Sequence, residues 1–273
     1  KVADRLEEIF KEQREQYEQK WDNIKLFIEY GMLSDEKFCE RAMKFMLLKN
    51  TDGKYFSIDD YRKAIEPAQT DKDKKLIFLY ATDSEKQYFF IDAAKNQGYD
   101  VLLMDCELDS HFVNLLESKL ENVRFARVDS DSVDKLIQKG EEVKLELSED
   151  DKKSLDEMFK SVLPQGNEYM VEARNLGETA VPVLITQNEF MRRYREMSAM
   201  GGGMNFYGSI PESYNIIVNM QNPLVAKIWN DRAVEGDNDL LRQVVDLALL
   251  SNGMLKGKDL SDFVARSEKL LGK

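Results

Sequence analysis

The spacing of apolar residues changes character near residue 75, and that change limits what this 273-residue chain can fold into. Before it, Val2, Leu6, Ile9, Phe10, Tyr17, Trp21, Ile24, Phe27 and Ile28 recur every three or four residues, which predicts one long amphipathic helix over residues 1–32. Gly31 is placed to stop it. Ser34 can cap a second helix whose apolar face holds Phe38, Ala42, Phe45 and Met46, and Ser57-Ile-Asp-Asp60 opens a third that ends before Pro67. Residues 1–70 therefore read as all-helical. After the charged stretch Asp71-Lys-Asp-Lys-Lys75 the apolar residues gather into short runs, Leu76-Ile-Phe-Leu-Tyr80, Val101-Leu-Leu-Met104 and Val123 to Val128, the signature of buried strands. Between them fall a helix opened by Ser84 and Gln87 and closed by Gly98, and another capped by Asp109 that carries Phe112, Leu115 and Leu116. A β-α-β-α-β order predicts parallel strands with right-handed crossovers over residues 71–145.

Residues 129–150 are polar and acidic, as suits a junction between domains. Beyond it, Ser148 caps a helix through Leu155, Met158, Phe159 and Leu163 that stops at Pro164. Two strands over 168–174 and 180–185 are separated by Asn175-Leu-Gly-Glu178, a hairpin-like spacer. A methionine-bearing helix follows, then a strand at Ile216-Ile-Val218, a helix with proline at its first position at Asn222-Pro223, and two final helices over 239–252 and 259–271. The fold class expected is α/β in the first half and α+β overall. In the final pair, Leu240, Leu241, Val244, Val245, Leu247, Ala248, Leu249 and Leu250 cover more than one face, while Leu260, Phe263, Val264, Leu270 and Leu271 form one stripe. Two readings stay open: a helix pair buried within its own chain, or one that gives a side to a second copy.

Several functions are disfavoured. A net charge of −12 argues against nucleic acid, and the short basic group Arg192, Arg193 and Arg195 reads as the solvated side of its helix. No apolar run approaches the ~18 residues of a membrane span. Cys39 and Cys106 lie far apart and His111 is the only histidine, so no metal site is expected and a zinc site is close to excluded, and free thiols fit a reducing cytoplasm. No phosphate-binding glycine motif occurs, and the turn Ala81-Thr82-Asp83-Ser84 after the first parallel strand lacks the glycines that admit a pyrophosphate. An enzyme built on the 75–128 unit is therefore the weakest candidate.

Met191, Met197, Met200 and Met204 fall within fourteen residues, ending in Gly201-Gly202-Gly203. Methionine is unbranched and polarizable, so such a row suits a surface that accepts apolar partners of many shapes; it equally suits a core helix that uses methionine as filler.

Leu48-Lys-Asn-Thr-Asp-Gly-Lys-Tyr-Phe-Ser-Ile-Asp-Asp-Tyr61, Ile77-Phe-Leu-Tyr-Ala-Thr-Asp83, Gly98-Tyr-Asp-Val-Leu-Leu-Met-Asp105 and Leu108-Asp109 resemble the middle domain of heat-shock-protein-90 chaperones. Asn222-Pro-Leu-Val225 and Asp246-Leu-Ala-Leu-Leu-Ser-Asn-Gly253 resemble two signatures of that family's C-terminal domain, and the strings run in the family's order. The resemblance implies a helical connector over 1–70, a small αβα subdomain over 71–145 and a dimerisation domain over 146–273. It implies a cytoplasmic, stress-responsive homodimer that binds unfolded clients, with a possible cochaperone system among its partners. The chain opens on Lys1 without an initiator methionine and is expected to be a piece of a longer chain, with the ATP and magnesium site and its catalytic arginine upstream. This piece is then no enzyme, whereas the whole protein hydrolyses ATP. Client contact falls by resemblance on Met191, Tyr194, Met197, Met200, Met204 and Phe206. A second contact, a tryptophan in relatives, falls on His111 here or on Phe112 beside it, which fits the buried stripe of its helix equally well. The dimer interface falls on Leu240, Leu241, Val244, Val245, Ala248, Leu249, Leu260, Phe263, Val264, Leu270 and Leu271. A pure assembly module without client contacts is the alternative.

Overall fold

The computed structural model describes residues 1–141, 145–200, 211–233 and 239–272, and leaves the side chains of Met197, Ala199, Met200 and Ala233 undescribed. Two units form around separate cores. One takes Lys1–Val128, Val133–Gly140 and residues 193–200; the other takes the remaining described residues.

In the first unit, α1 (Val2–Glu12) and α2 (Arg14–Ser34) replace the single long helix expected. The break is Gln13, at φ −138° and ψ 51°. It brings Phe10 edge-on to Tyr17, ring centroids 5.6 Å apart, with the Arg14 guanidinium 4.6 Å above the Phe10 ring. Aromatic and cation–π contacts of this kind contribute about 1 kcal/mol each, enough to offset a local helix break. Gly31 does not stop α2. A Cβ there would meet the Phe38 ring at 2.8 Å, so glycine lets α3 (Glu36–Ala42) approach. Asp35 rather than Ser34 caps α3, accepting from Phe38 N at 2.8 Å.

A short antiparallel pair, β1 (Leu48–Lys49) and β2 (Tyr55–Phe56), interrupts the region expected to be all-helical. Buried Asn50 builds its turn by accepting from Asp52 N and Lys54 N, and Gly53 supplies the positive φ of 76°. Next, α4 (Ile58–Gln69) starts where Ser57 accepts from Asp60 N, as expected, but continues past Pro67. The missing proline N–H falls in the last turn, where one lost bond is cheap. Continuing places Gln69 in the core, donating to Ile77 O at 2.8 Å and accepting from Asp100 N at 2.6 Å.

The parallel unit follows the expected order: β3 (Leu76–Ala81), α5 (Tyr88–Asn96), β4 (Val101–Leu103), α6 (Asp109–Lys119) and β5 (Val123–Arg127). The sheet order is β4-β3-β5, both pairs parallel, and every residue of the central strand is buried. Gly98 ends the α5 turn at φ +79°. Phe78 sits between Tyr61 and Phe125, 5.0 Å from each ring, tying α4 to the sheet. A short helix, α7 (Val133–Leu136), completes the unit.

The second unit opens with α8 (Glu149–Lys160), capped by Ser148 as expected. Then come β6 (Glu168–Arg174), β7 (Val183–Thr186), α9 (Glu189–Met200, which belongs to the first unit from Arg193 on), β8 (Ser213–Asn219), α10 (Pro223–Asn230), α11 (Asp239–Ser251) and α12 (Gly257–Leu271). Here β6 and β7 are not a hairpin. Strand β8 lies between them, parallel to β6 and antiparallel to β7. The reason is visible in Asn219, fully buried at the end of β8. Its Oδ1 accepts from Leu176 N (3.1 Å) and Gln221 N (3.2 Å), and its Nδ2 donates to Gly177 O (2.8 Å) and Val181 O (3.2 Å). The segment expected to turn back on itself is stitched to another strand instead. Replacing Asn219 with alanine leaves several of these backbone groups without partners and should destabilise the second unit by about 3 kcal/mol, read as a shift in urea midpoint by Trp229 fluorescence in a Trp21→Phe background.

Phe159, Ile216, Val218, Val244, Val245 and Leu249 centre the second core. Among the described residues no helix is long and apolar enough to cross a membrane.

Candidate functional site

Helix α9 presents a polarity opposite to the one its composition suggests. Arg192, expected on the solvated side, is only 2% exposed and pairs with Glu189 at 2.9 Å. Arg193 donates to Glu117 Oε2 (2.7 Å), Asn114 Oδ1 (3.1 Å) and the Phe125 carbonyl (2.9 Å). Glu196 accepts from Ser110 Oγ and lies 3.9 Å from Arg127. The charged residues are thus the anchor. The side chains left to solvent are Phe190 at 73% exposure, Tyr194 at 53%, and Met191. Tyr194 stands three residues beyond Met191 and four beyond Phe190, the spacings at which helix side chains adjoin, so it links the two into one apolar ridge. Sequence reading missed Phe190, although its i, i+4 relation to Tyr194 was available. Met197 and Met200 continue the helix with side chains outside the described residues, and Met204 and Phe206 lie wholly outside them. The methionines that do fill cores are others: Met32, Met46 and Met104 are buried.

His111 is half-buried near the start of α6, whereas Phe112 is buried in the first core among Val113, Leu116 and Phe125. Phe112 therefore serves packing, and the surface contact expected of it is withdrawn.

The last two helices divide the residues assigned to the dimer interface. Leu241, Val244, Val245, Ala248, Leu249 and Phe263 are buried within the unit itself, and Leu240 and Leu260 pack partly against the same core. Those residues hold the domain together. The side left open carries Leu247, Leu250, Val264, Leu270 and Leu271, with Leu250 at 41% and Val264 at 47% exposure. The pair is pinned by Arg266 to Asp246 and by Gln243 Nε2 donating to Ser267 Oγ at 2.7 Å, so this open side is set by fixed helices.

A phosphate does not fit the turn after β3. The backbone N–H groups of Thr82 and Asp83, which would face such a ligand, donate instead to Gln87 Oε1 at 2.8 and 3.0 Å. Ser84 caps nothing there; Asp83 Oδ1 accepts from Glu85 N and Lys86 N.

One group of titratable residues escaped the sequence reading. Glu29 and Asp109 are both buried beside Cys106, with Lys25 Nζ 3.9 Å from Glu29 and 3.6 Å from Asp109. Burial, then the neighbouring Asp109 charge, pushes the Glu29 carboxyl up to about 7; burial raises Asp109 to about 6 and the Cys106 thiol to about 12. A carboxyl raised in the folded state binds its proton more tightly there than in the unfolded chain. Its stabilising contribution is therefore complete below the unfolded value near 4.5 and lost as pH rises to about 7. Glu29→Gln should raise the stability of the first unit at about pH 8 and change it little at about pH 4, measured by urea titration of Trp21 fluorescence in a Trp229→Phe background. Equal loss at both values would contradict the assignment.

The family model described as Hsp90 protein matches residues 1–273. A chaperone protein HtpG of Porphyromonas gingivalis W83 is 40% identical, the match covering 99% of this chain and 49% of the relative. One of Bacteroides fragilis YCH46 is 39% identical over 99% of this chain and 50% of its own length, and one of Ruthia magnifica is 26% identical over 99% and 43%. The chain spans about half the length, or less, of these relatives. With a family match along its whole length, the chain belongs to the HtpG/Hsp90 family of chaperones.

Proposed function

We infer that this chain is the client-holding and dimerising part of an ATP-driven chaperone, and that the ridge of Phe190, Met191 and Tyr194 on α9 touches unfolded clients. The observation that carries the reading is the inverted polarity of α9: Arg192 and Arg193 are tied down while Phe190, Met191 and Tyr194 face water. A helix used only as core filler has no reason to expose them. Exposed apolar surface of this kind marks interaction sites, and unbranched methionine beside flat rings adapts to varied partners. Met197, Met200, Met204 and Phe206 extend the client surface by family resemblance, and His111 adds a second contact. The open side of α11 and α12, with Leu247, Leu250, Val264, Leu270 and Leu271, joins two copies of the chain. By family resemblance, ATP and magnesium act in the half of the protein that this chain does not span. The whole protein works in the cytoplasm, with a cochaperone system as a further partner.

Suppression of client aggregation tests the reading. The triple substitution Phe190→Ser, Met191→Gln, Tyr194→Ser removes mainly exposed apolar surface, so the fold should keep most of its stability while the capacity to hold a denatured client falls severalfold. Retained holding, or a collapse of stability, would instead favour a module that only assembles.

A further inference from the structure

The fold gathers three metal-competent side chains that the sequence keeps far apart. Glu29 lies on α2, Asp109 is the first residue of α6, and Cys106 lies in the bend that leads into it. One ligand atom from each lies within 4.8 Å of the other two. Glu29 is 2% and Asp109 3% exposed, and in each carboxylate one buried oxygen, Glu29 Oε2 and Asp109 Oδ1, has no hydrogen-bond partner. Buried polar atoms are almost always satisfied, so two unsatisfied carboxylate oxygens in one site call for a ligand of positive charge. Lys25 does not meet that need. Its ammonium is 3.1 Å from Asp105 Oδ1, 3.6 Å from Asp109 Oδ2 and 3.9 Å from Glu29 Oε1, and it pairs with neither orphan oxygen.

We propose that Glu29, Cys106 and Asp109 bind one divalent transition-metal ion of the zinc class, with water in a fourth position. The thiolate decides the class: magnesium and calcium take oxygen ligands, whereas zinc accepts sulfur and carboxylate together in a three-ligand site with one open position. Charge closes as well. Two carboxylates and a thiolate carry −3, the ion +2, and the Lys25 ammonium the remaining +1, which leaves the enclosed site neutral. Without metal, neutrality needs protons on Glu29 and on the Cys106 thiol, so metal entry displaces both protons to solvent. Ligand lengths of about 2.0–2.3 Å put neighbouring ligand atoms roughly 3.5 Å apart, so the three side chains close by about 1 Å on binding. Since α2 and α6 pack on each other, the ion would clip the helical connector to the αβα unit and stabilise the first unit by mass action.

Cobalt is a spectroscopic stand-in for zinc, and titrating it into the chelator-treated chain tests the proposal. One equivalent should produce thiolate-to-cobalt charge-transfer absorption that Zn²⁺ then abolishes. Cys106→Ala should remove the band and Cys39→Ala should keep it, with circular dichroism confirming that each variant is folded. Glu29→Gln and Asp109→Asn should weaken cobalt binding by roughly tenfold or more. Cys106 is partly exposed, so its alanine variant is the one least liable to disturb packing. Zn²⁺ should also raise the first-unit melting temperature, and this gain should vanish in Glu29→Gln. No charge-transfer band at one equivalent, or a band that survives Cys106→Ala, would overturn the proposal.

Discussion

If two copies join along the open side of α11 and α12 as proposed, aspartate at Leu250 or at Val264 should split the pair into folded monomers. Both side chains lie on the open side of the terminal helices, so a charge costs little in the monomer but would be stranded in the proposed interface. A penalty of about 3 kcal/mol weakens association roughly a hundredfold. Sedimentation should show the mass halve while circular dichroism is unchanged. Aspartate at Leu249 should behave differently. That neighbour is fully buried in the second core, so the charge should unfold the unit rather than release an intact monomer. Adjacent residues of one helix therefore separate the two open readings of this apolar pair. If Leu250→Asp leaves the mass of a dimer intact, the two copies meet elsewhere.

The second large effect is expected in the first core. Phe78 is fully buried in the central strand, with the rings of Tyr61 and Phe125 each 5.0 Å away. Phe78→Ala opens a cavity where α4 meets the sheet and should cost about 3–5 kcal/mol. Because the two units have separate cores, the loss should appear in Trp21 fluorescence and not in that of Trp229. A shift of both transitions together would mean that the units unfold as one.

What could be read from the sequence was mostly local. Ser57, Ser148 and Asn222 all cap the helices expected of them, Gly98 takes its left-handed turn, and Leu76 to Tyr80 form a fully buried strand. Each depends on residues within a few positions. The misreadings depend on distant partners. Gln13 breaks a continuous helical pattern because Phe10 and Tyr17 pack edge-on, and Gly31 stays helical because Phe38 fills the space beside it. Adjacent strands β6 and β7 looked like a hairpin, but β8, which fits between them, comes later in the chain. For the candidate site, the helix and its methionines were legible while its orientation was not. Arginines usually face water, and Asn114, Glu117 and the Phe125 carbonyl, far away in sequence, hold Arg193 down. The Glu29, Cys106 and Asp109 group was invisible for the same reason, since no spacing rule links α2 to α6.

The central claim is that the exposed ridge of α9 grips unfolded protein. Its most direct test places a photo-crosslinking amino acid at Tyr194 in the full-length chaperone, and at Lys153 on the charged surface of α8 as a control, and irradiates both with a permanently unfolded client. Strong client adducts from position 194 and few from position 153 are the expected result. Equal yields, or none from position 194, would contradict it.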